Sequence, residues 1–296
     1  MADNIFWYSM GNQGYNDSPK KGSMRIKLII ALLLVTLKLP LLAQVVDSTN
    51  LTETQRDFLR LPAFSIYKDN YFLTGSTVEH SPNKDNSDIK YQISFRQLLY
   101  RKPIFLKSFP YLSYTQKSFW DVYKSSKPFA EINFNPTFGL LRPYNNKYGM
   151  NYITASLEHE SNGRDSIFSR SWNRISFGWH TYLTQKLQLS LDLWIPFGYK
   201  DDNPDLLHYE GFGQVSLSYM IKDDKWFADI TFRKGDQWNW KGYVQGQVSY
   251  RLFAKSNEYI MLQWYEGYAE SLIEYQRRTD MVRIGLLLRP NKNVFF

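Results

Sequence analysis

The chain has 296 residues, no cysteine and a formal net charge of +8. Without cysteine it can form neither a disulfide nor a lipid-modified cysteine behind a signal sequence. Its basic residues are scattered along the chain, which argues against nucleic acid as a partner. Aromatic residues make up 17% of the chain, an excess typical of proteins whose rings lie at a boundary between water and lipid.

The first predicted element is a signal peptide. Arg25 and Lys27 supply positive charge before an apolar run from 28 to 37, and a cleavage site follows at 41–43. We predict that residues 1–43, an N-terminal extension with the signal peptide, are removed, and that residues 44–65 form an N-terminal periplasmic segment. A retained helical anchor is the alternative, but a spanning helix needs about 20 apolar residues and this run has about ten.

Twelve β-strands are predicted from the alternation of apolar and polar residues between turn-forming residues. They lie near 66–78, 88–100, 109–122, 129–140, 148–161, 172–183, 186–197, 209–221, 225–234, 241–253, 257–268 and 279–289. Tight connections such as TQK, KDDK and AKSN alternate with long ones such as EHSPNKDNSD, NGRDSIFSRS and GYKDDNPDLLHY. An even strand number with short turns at one end and long loops at the other is typical of outer-membrane barrels.

We therefore predict an all-β fold, a twelve-stranded antiparallel transmembrane β-barrel, over residues 66–296. A soluble all-β sandwich is the alternative. It would turn polar faces outward, whereas the apolar faces here carry a surplus of Trp, Tyr and Phe. The chain also ends in NVFF, with the terminal aromatic residue typical of barrel proteins.

A histidine and a serine stand two positions apart in the sequence EHESNGR, at His159 and Ser161. On a helix such residues point away from each other, but on a strand they share a face. The same parity of this strand carries Ile153 and Leu157, so the histidine and serine lie on its apolar face. In the next strand Asn173 shares the parity of Ile175, Phe177 and Trp179.

These three polar residues suit acyl transfer. Ser161 would attack an ester carbonyl, His159 would act as general base, and Asn173 would orient the imidazole ring. The apolar face of a membrane barrel points outward, and a polar group facing lipid is costly unless it has a function. The predicted substrate is therefore the lipid itself. A His-x-Ser pair alone is weak evidence, because most such pairs are structural or accidental.

At these residues the sequence resembles the outer-membrane phospholipase A family of Gram-negative bacteria. The resemblance lies in HESNGR and SRSWNR, with 14 positions between His159 and Asn173. It extends to YTQKSFW at 114–120, DDNPD at 201–205 and GYAESLIEY at 267–275. It implies a twelve-stranded outer-membrane barrel that hydrolyses acyl esters of membrane phospholipids at both acyl positions. Ser161, His159 and Asn173 would be its nucleophile, base and orienting residue.

The resemblance also implies calcium and a homodimer, with the metal at the subunit boundary. Arg164 would contribute its backbone carbonyl and Ser169 oxygen ligands, while Ser118 would reach across from the partner. The strand parity of Ser118 supports an outward position. The Gly163 N–H would be an oxyanion donor. Asp165 is a further candidate carboxylate ligand, because calcium prefers six to eight oxygen donors.

Two other functions compete with a phospholipase. A catalytically silent barrel acting as a pore or scaffold would have no reason to keep Ser161, His159 and Asn173 on the lipid face. A secreted soluble esterase is disfavoured by the missing GxSxG elbow. The DDNPD segment could bind a cation, but an acidic external loop with a turn at Asn203-Pro204 is the simpler interpretation. Three other histidines are interpreted as loop or lumen residues: His80, His180 and His208.

Overall fold

Antiparallel strands close into a β-barrel in the computed structural model, which describes residues 51–222, 224–254 and 256–290. The predicted extension and signal peptide at 1–43 and the C-terminal NVFF lie outside the described residues. The strands are β1 Phe64–Ile66, β2 Asn70–Thr77, β3 Ser87–Leu98, β4 Phe109–Trp120, β5 Phe129–Asn146, β6 Gly149–Ser161, β7 Ser171–Tyr182, β8 Leu187–Phe197, β9 Gly213–Lys222, β10 Trp226–Lys234, β11 Gly242–Arg251, β12 Glu258–Gly267 and β13 Thr279–Leu288.

The ring closes through two pairings, β2 with β13 and β3 with β4, so twelve strands from β2 to β13 form the barrel wall. This confirms the predicted twelve-stranded antiparallel barrel. The short strand β1 is an addition. Both β1 and β2 pair with β3, and residues 67–69 separate β1 from β2. The strand predicted at 66–78 is therefore interrupted, and at the break the Asn70 side chain accepts from the Ser94 N–H at 2.5 Å.

The strand predicted to start at 209 was wrong at its beginning. A short helix α2, Leu207–Glu210, occupies that position, and β9 starts only at Gly213. The helix ends at Gly211, whose φ of 59° lies in the left-handed region that favours glycine. A Cβ at this position would lie 1.9 Å from the carbonyl oxygen of Lys234, so no side chain fits there.

Long loops gather at one end of the barrel. They comprise residues 78–86, 121–128, 162–170, 198–212, 235–241 and 268–278. The opposite end has the short connections 147–148, 183–186, 223–225 and 252–257. Its one long segment, 99–108, binds the N-terminal part of the chain, since the Gln55 side chain donates to the Lys107 carbonyl at 3.3 Å. The predicted alternation of loop lengths is thus present with this one departure.

Helix α1, Glu53–Arg60, packs at the end with short turns. It begins with a capping box, in which Thr52 and Gln55 exchange side-chain and backbone hydrogen bonds at 3.0 and 3.3 Å. Phe58 is fully buried in a cluster with Leu98, Phe109, Tyr111, Leu141 and Tyr152. These partners lie at or near the strand ends, so the helix covers that end of the barrel. No helix among the described residues is long and apolar enough to cross a membrane.

The two faces of the strands differ sharply in chemistry. Outward positions carry large exposed apolar residues, such as Ile153 at 48% and Leu193 at 50% exposure. Inward positions carry buried charges: Arg174 contacts Glu158 at 2.7 Å and Glu160 at 3.2 Å. An apolar outer wall around a charged, closed interior is the arrangement of a transmembrane barrel. Glu158, Glu160 and Arg174 thus form a charged network in the lumen.

Candidate active site

The register between β6 and β7 places the predicted base beside the predicted orienting residue. His159 pairs directly with Asn173, and Ser161 pairs with Ser171. Directly opposed residues on one face have Cβ atoms about 5 Å apart, so their side chains can touch. Both strands present these residues on the outward parity, with exposed Ile153 and Ile175 further along. The structure thus brings the three predicted residues to the outer rim at the end with long loops.

A hydrogen bond joins the imidazole to the amide. His159 Nδ1 lies 2.9 Å from Asn173 Oδ1. An amide oxygen only accepts, so the proton of this bond belongs to Nδ1, and Nε2 of the neutral ring keeps its lone pair. That tautomer is the one a general base needs. The ring is exposed, and the backbone beneath it is fixed by the Asn135 amide, which donates to the His159 carbonyl at 2.9 Å.

Ser161 is the last residue of β6 and is half-buried. It lies on the same face as His159, about 6.8 Å further along the strand from Cα to Cα. An imidazole and a serine hydroxyl can meet across this spacing. Because the strand ends at Ser161, the chain that follows turns back towards it through the loop at 162–170, which reaches Ser171 in the neighbouring strand.

Gly163 stands two residues after the predicted nucleophile in a left-handed conformation with φ of 67°. A Cβ at this position would lie 3.0 Å from the Phe134 ring, whose strand position is paired with Ser161. Glycine therefore suits both the backbone angle and the close packing. Its N–H meets no acceptor within the described part of the chain. An N–H left free beside a nucleophile is suited to an oxyanion.

Asn162 organises the loop that carries the predicted calcium ligands. It is buried, and its side-chain oxygen accepts from the N–H groups of Arg164 at 3.3 Å and Arg170 at 3.0 Å. Its amide nitrogen donates to the Phe168 carbonyl at 2.9 Å. One side chain therefore holds together the two ends of the loop, so that Arg164 and Ser169 lie on segments gathered around the same residue.

The guanidinium of Arg164 turns away from the loop and onto β5. Its Nε lies 3.3 Å from the Glu131 carboxylate, which is almost fully buried, and its Nη2 donates to the Ala130 carbonyl. Glu131 also accepts from the Ile273 N–H at 3.2 Å. The carboxylate thus joins three elements, namely β5, the loop at 162–170 and the loop at 268–278. With the Arg164 side chain held in this way, its backbone carbonyl is the group available as a ligand.

Ser118 has the predicted outward parity on β4 and is covered by its neighbours in this structure. Its exposure is 0%, and its hydroxyl accepts from the Gln116 amide at 3.2 Å. Its cross-strand neighbours are Tyr91 and Ile132, and the Tyr91 ring contacts Phe129 with centroids 6.3 Å apart. The exposed serines of this hairpin are Ser125 and Ser126 in the connecting loop.

The predicted calcium ligands fit that ion by their chemistry. No group of three or more His, Asp and Glu side chains that could hold a metal occurs among the described residues. Backbone carbonyls and hydroxyls are nevertheless ligands that calcium accepts. Asp165 lies next to Arg164 in the same loop, and its exposed carboxylate is a further donor. These donors form an incomplete set on one chain, which suits a site shared between subunits and water.

The DDNPD segment supports the start of β7. The Ser171 hydroxyl donates to Asp202 at 2.8 Å, and the Ser171 N–H donates to Asn203 Oδ1 at 3.0 Å. Asp205 accepts from Gln276 at 2.6 Å and from Tyr275. Burial opposes ionisation of this carboxyl, but those hydrogen bonds outweigh it and lower the pKa of Asp205. The interpretation as an acidic external loop agrees with these contacts.

The three remaining histidines lie as interpreted. His80 is exposed in a loop, and His180 is buried in the lumen 3.5 Å from Asp192. His208 lies in α2 with its Nδ1 2.8 Å from Asp236 in the next loop.

Sequence reasoning missed three residues that shape the site. Asn162 and Glu131 organise the loop, and Gly198 packs beside Asn173, since a Cβ at Gly198 would lie 2.9 Å from the asparagine amide nitrogen. Gly198 follows the last residue of β8, and a glycine at a strand end is a detectable turn signal. The role of Glu131 has no such signal, because its partners lie far away in the chain.

Comparison with known proteins identifies the family. The family model described as phospholipase A1 matches residues 46–288. Phospholipase A1 of Salmonella typhimurium is 31% identical over 222 residues, which cover 72% of this chain and 73% of the relative. A calcium-bound dimer of the Salmonella typhi outer membrane phospholipase superposes with a TM-score of 0.68 at 26% identity, covering 80% of this chain and 97% of the other.

A third similar protein is outer membrane phospholipase A of Escherichia coli, in a variant with an active-site asparagine replaced by alanine. It matches with a TM-score of 0.68 and 25% identity over 80% of this chain and 97% of the other. The fold and the matched family model agree with one another. This chain belongs to the phospholipase A1 family, a family of ester-hydrolysing enzymes.

Proposed function

We propose that this protein is a calcium-dependent outer-membrane phospholipase that hydrolyses both acyl esters of phospholipids, and of lysophospholipids, with a Ser161–His159–Asn173 triad. The observation that carries the proposal is the hydrogen bond from His159 Nδ1 to Asn173 Oδ1 on the outward face that also bears Ser161. The membership in the phospholipase A1 family supports the reaction type.

The reaction follows from the tautomer of the ring. His159 Nε2 takes the proton of the Ser161 hydroxyl as the oxygen attacks the ester carbonyl. The Gly163 N–H faces the negative charge that develops on the carbonyl oxygen. His159 then returns the proton to the leaving alcohol, and a water molecule repeats the sequence to release the fatty acid. Asn173 keeps the ring in place but stabilises the imidazolium less than an aspartate does.

Placement on the outer wall supports a lipid substrate. A hydrolase of soluble esters gains nothing from a nucleophile on the apolar face, where Ile153 of β6 and Ile175 of β7 are exposed. A phospholipid in the same bilayer reaches this face by lateral diffusion, with its ester groups near the membrane boundary. The residues lie at the rim with long loops, which faces outward in outer-membrane barrels.

Calcium belongs to the same proposal. The Arg164 carbonyl and Ser169 would hold the ion, with Asp165 as a further donor. When bound, it supplies positive charge beside the oxyanion. The bridge from Arg164 to Glu131 at 3.3 Å fixes the residue whose carbonyl is needed. The calcium-bound dimer of the Salmonella typhi relative supports both the metal and the homodimer.

The proposed processing follows the sequence. Residues 1–43 would be removed on export, and residues 44–65 would lie in the periplasm. Helix α1 supports this, because it packs at the end with short turns, which is the periplasmic end in barrels of this class.

Release of fatty acid by the purified protein tests the function. We expect hydrolysis in mixed micelles of phospholipid and detergent, with label freed from both acyl positions and from lysophospholipid. A water-soluble ester below its micelle concentration should be a poor substrate. If the folded barrel releases no fatty acid from any phospholipid with calcium present, it is a silent barrel and the proposal is wrong.

Removing the orienting residue should lower turnover more than substrate affinity. For Asn173→Ala we expect kcat to fall by roughly a hundred- to ten-thousandfold, because only the alignment of the ring is lost. KM should stay within about threefold, since Asn173 does not hold substrate in the ground state. Steady-state kinetics from pH 6 to 9 measure this. If Asn173→Ala keeps the wild-type kcat across that range, Asn173 has only a structural role in the strand.

Subunit mixing tests which serine completes the calcium site. If Ser118 acts across the interface, Ser118→Ala and Ser161→Ala proteins should each be inactive and their mixture should recover part of the activity. A mixed dimer then keeps one site with an intact Ser161 and an intact Ser118 opposite. The mixture is assayed where cross-linking shows mixed dimers.

The buried position of Ser118 calls for a parallel series with its exposed neighbours. Ser125→Ala and Ser126→Ala are mixed with Ser161→Ala in the same way. If Ser118→Ala is active alone and only one of these two series recovers activity, the serine that acts across the interface lies in the loop at 121–128 and not on β4. No recovery in any series would reject a shared site.

A further inference from the structure

Gly198 lies against the orienting residue of the proposed triad. It follows Phe197, which pairs with Asn173 across β7 and β8. Its φ of 63° is left-handed, and a Cβ there would lie 2.9 Å from Asn173 Nδ2. Within the described residues this amide nitrogen is the one atom beyond the chain neighbours that such a Cβ would meet within 4 Å. The absence of a side chain at this position therefore leaves room for one group, the amide of Asn173.

The five residues after Gly198 hold the beginning of β7, the strand that carries Asn173. Asn203 is fully buried, accepts from the Ser171 N–H at 3.0 Å and donates its own N–H to the Tyr199 carbonyl at 2.9 Å. Asp202 accepts from the Ser171 hydroxyl at 2.8 Å. Ser171 stands two residues before Asn173 on the same face. One short segment thus contacts β7 both at the amide and just before it.

We propose that the segment Gly198–Asn203 is the positioning element for Asn173, with Gly198 as the residue that lies against its amide. The inference rests on the proposed triad. An amide turns easily about its last torsion, and only the orientation with Oδ1 towards His159 gives the ring its acceptor. Because Gly198 has no side chain, the Asn173 amide can lie beside the end of β8. A methyl group there moves the far end of a flexible side chain rather than the barrel wall.

The role predicts a loss that depends on Asn173. In Gly198→Ala we expect kcat on phospholipid micelles to fall by about ten- to a hundredfold, the effect of displacing a catalytic group by a fraction of an ångström to one ångström. KM should change less than about twofold, because the variant acts on ring alignment and not on lipid binding. The rate of Ser161 labelling by a sulfonyl fluoride should fall in parallel.

Repeating the substitution in an Asn173→Ala background separates positioning from general damage. Residues that act through one another are non-additive, so Gly198→Ala should lower kcat by less than about twofold there. An equal loss in both backgrounds, or no loss in the wild-type background, would overturn the inference. Wild-type kcat in Asn173→Ala alone would instead overturn the triad, so the two failures are distinguishable.

Gly149→Ala is the matched control for backbone strain. Gly149 also has a positive φ, at 143°, but lies at the opposite end of the barrel, and its nearest neighbour is 3.8 Å from a Cβ. Its kcat should equal that of the wild type, and a loss as large as that of Gly198→Ala would overturn the inference. If Gly198→Ala does not fold by heat-modifiability on gels, Ser171→Ala replaces it. That variant loses the bond to Asp202 and should lower kcat only when Asn173 is present.

Discussion

Ser161→Ala is expected to abolish fatty acid release while leaving a folded barrel. The substitution removes one oxygen atom and little packing from a half-buried residue at the end of β6. Loss of a triad nucleophile lowers kcat by roughly a millionfold, which is below detection in a micelle assay. Fatty acid release and heat-modifiability on gels are the two measurements. A sulfonyl fluoride should label the wild type at Ser161 and leave the variant unlabelled.

Ser156→Ala is the matched control on the same strand. Its side chain has the opposite parity and donates to Glu158 at 3.1 Å inside the barrel. Activity and labelling should stay close to wild type. Labelling at a residue other than Ser161, or unchanged activity in Ser161→Ala, would refute the assignment of the nucleophile.

Removal of calcium is expected to give another large loss of activity. A chelator should lower phospholipid hydrolysis by at least about a hundredfold, the magnitude seen when one source of oxyanion stabilisation is lost. Added calcium should restore the rate. Magnesium should not, because it demands octahedral geometry at shorter distances and gives up its water reluctantly. Calcium should also promote dimers in detergent, measured by cross-linking or ultracentrifugation.

Two variants test which residues of this chain support calcium binding. Glu131→Gln weakens the ion pair with Arg164, which spans 3.3 Å, and should raise the calcium concentration needed for half-maximal activity. Asp165→Asn should do the same if its carboxylate is a ligand. Full activity in excess chelator would reject the calcium site, and an unchanged calcium requirement in Glu131→Gln would show that Arg164 needs no such support.

The strand count and the face of the proposed catalytic residues were predictable because both depend on a two-residue period. That period assigned His159, Ser161 and Asn173 to the apolar side, and the registered strands place them there. A one-residue error would have turned every side chain to the other face. The prediction at 209–212 failed because the positive φ of Gly211 and its contact with Lys234 depend on a distant strand.

The sequence by itself determined the barrel and the outward face of the three proposed catalytic residues, since strand parity and residue type are local properties. Tertiary structure alone decided which groups support them. Gly198 lies beside Asn173 and Glu131 beside Arg164, although the members of each pair are at least 25 positions apart, and Ser118 is completely buried by its neighbours. Such contacts depend on how neighbouring strands and loops pack in three dimensions, and no local pattern in the chain encodes that packing.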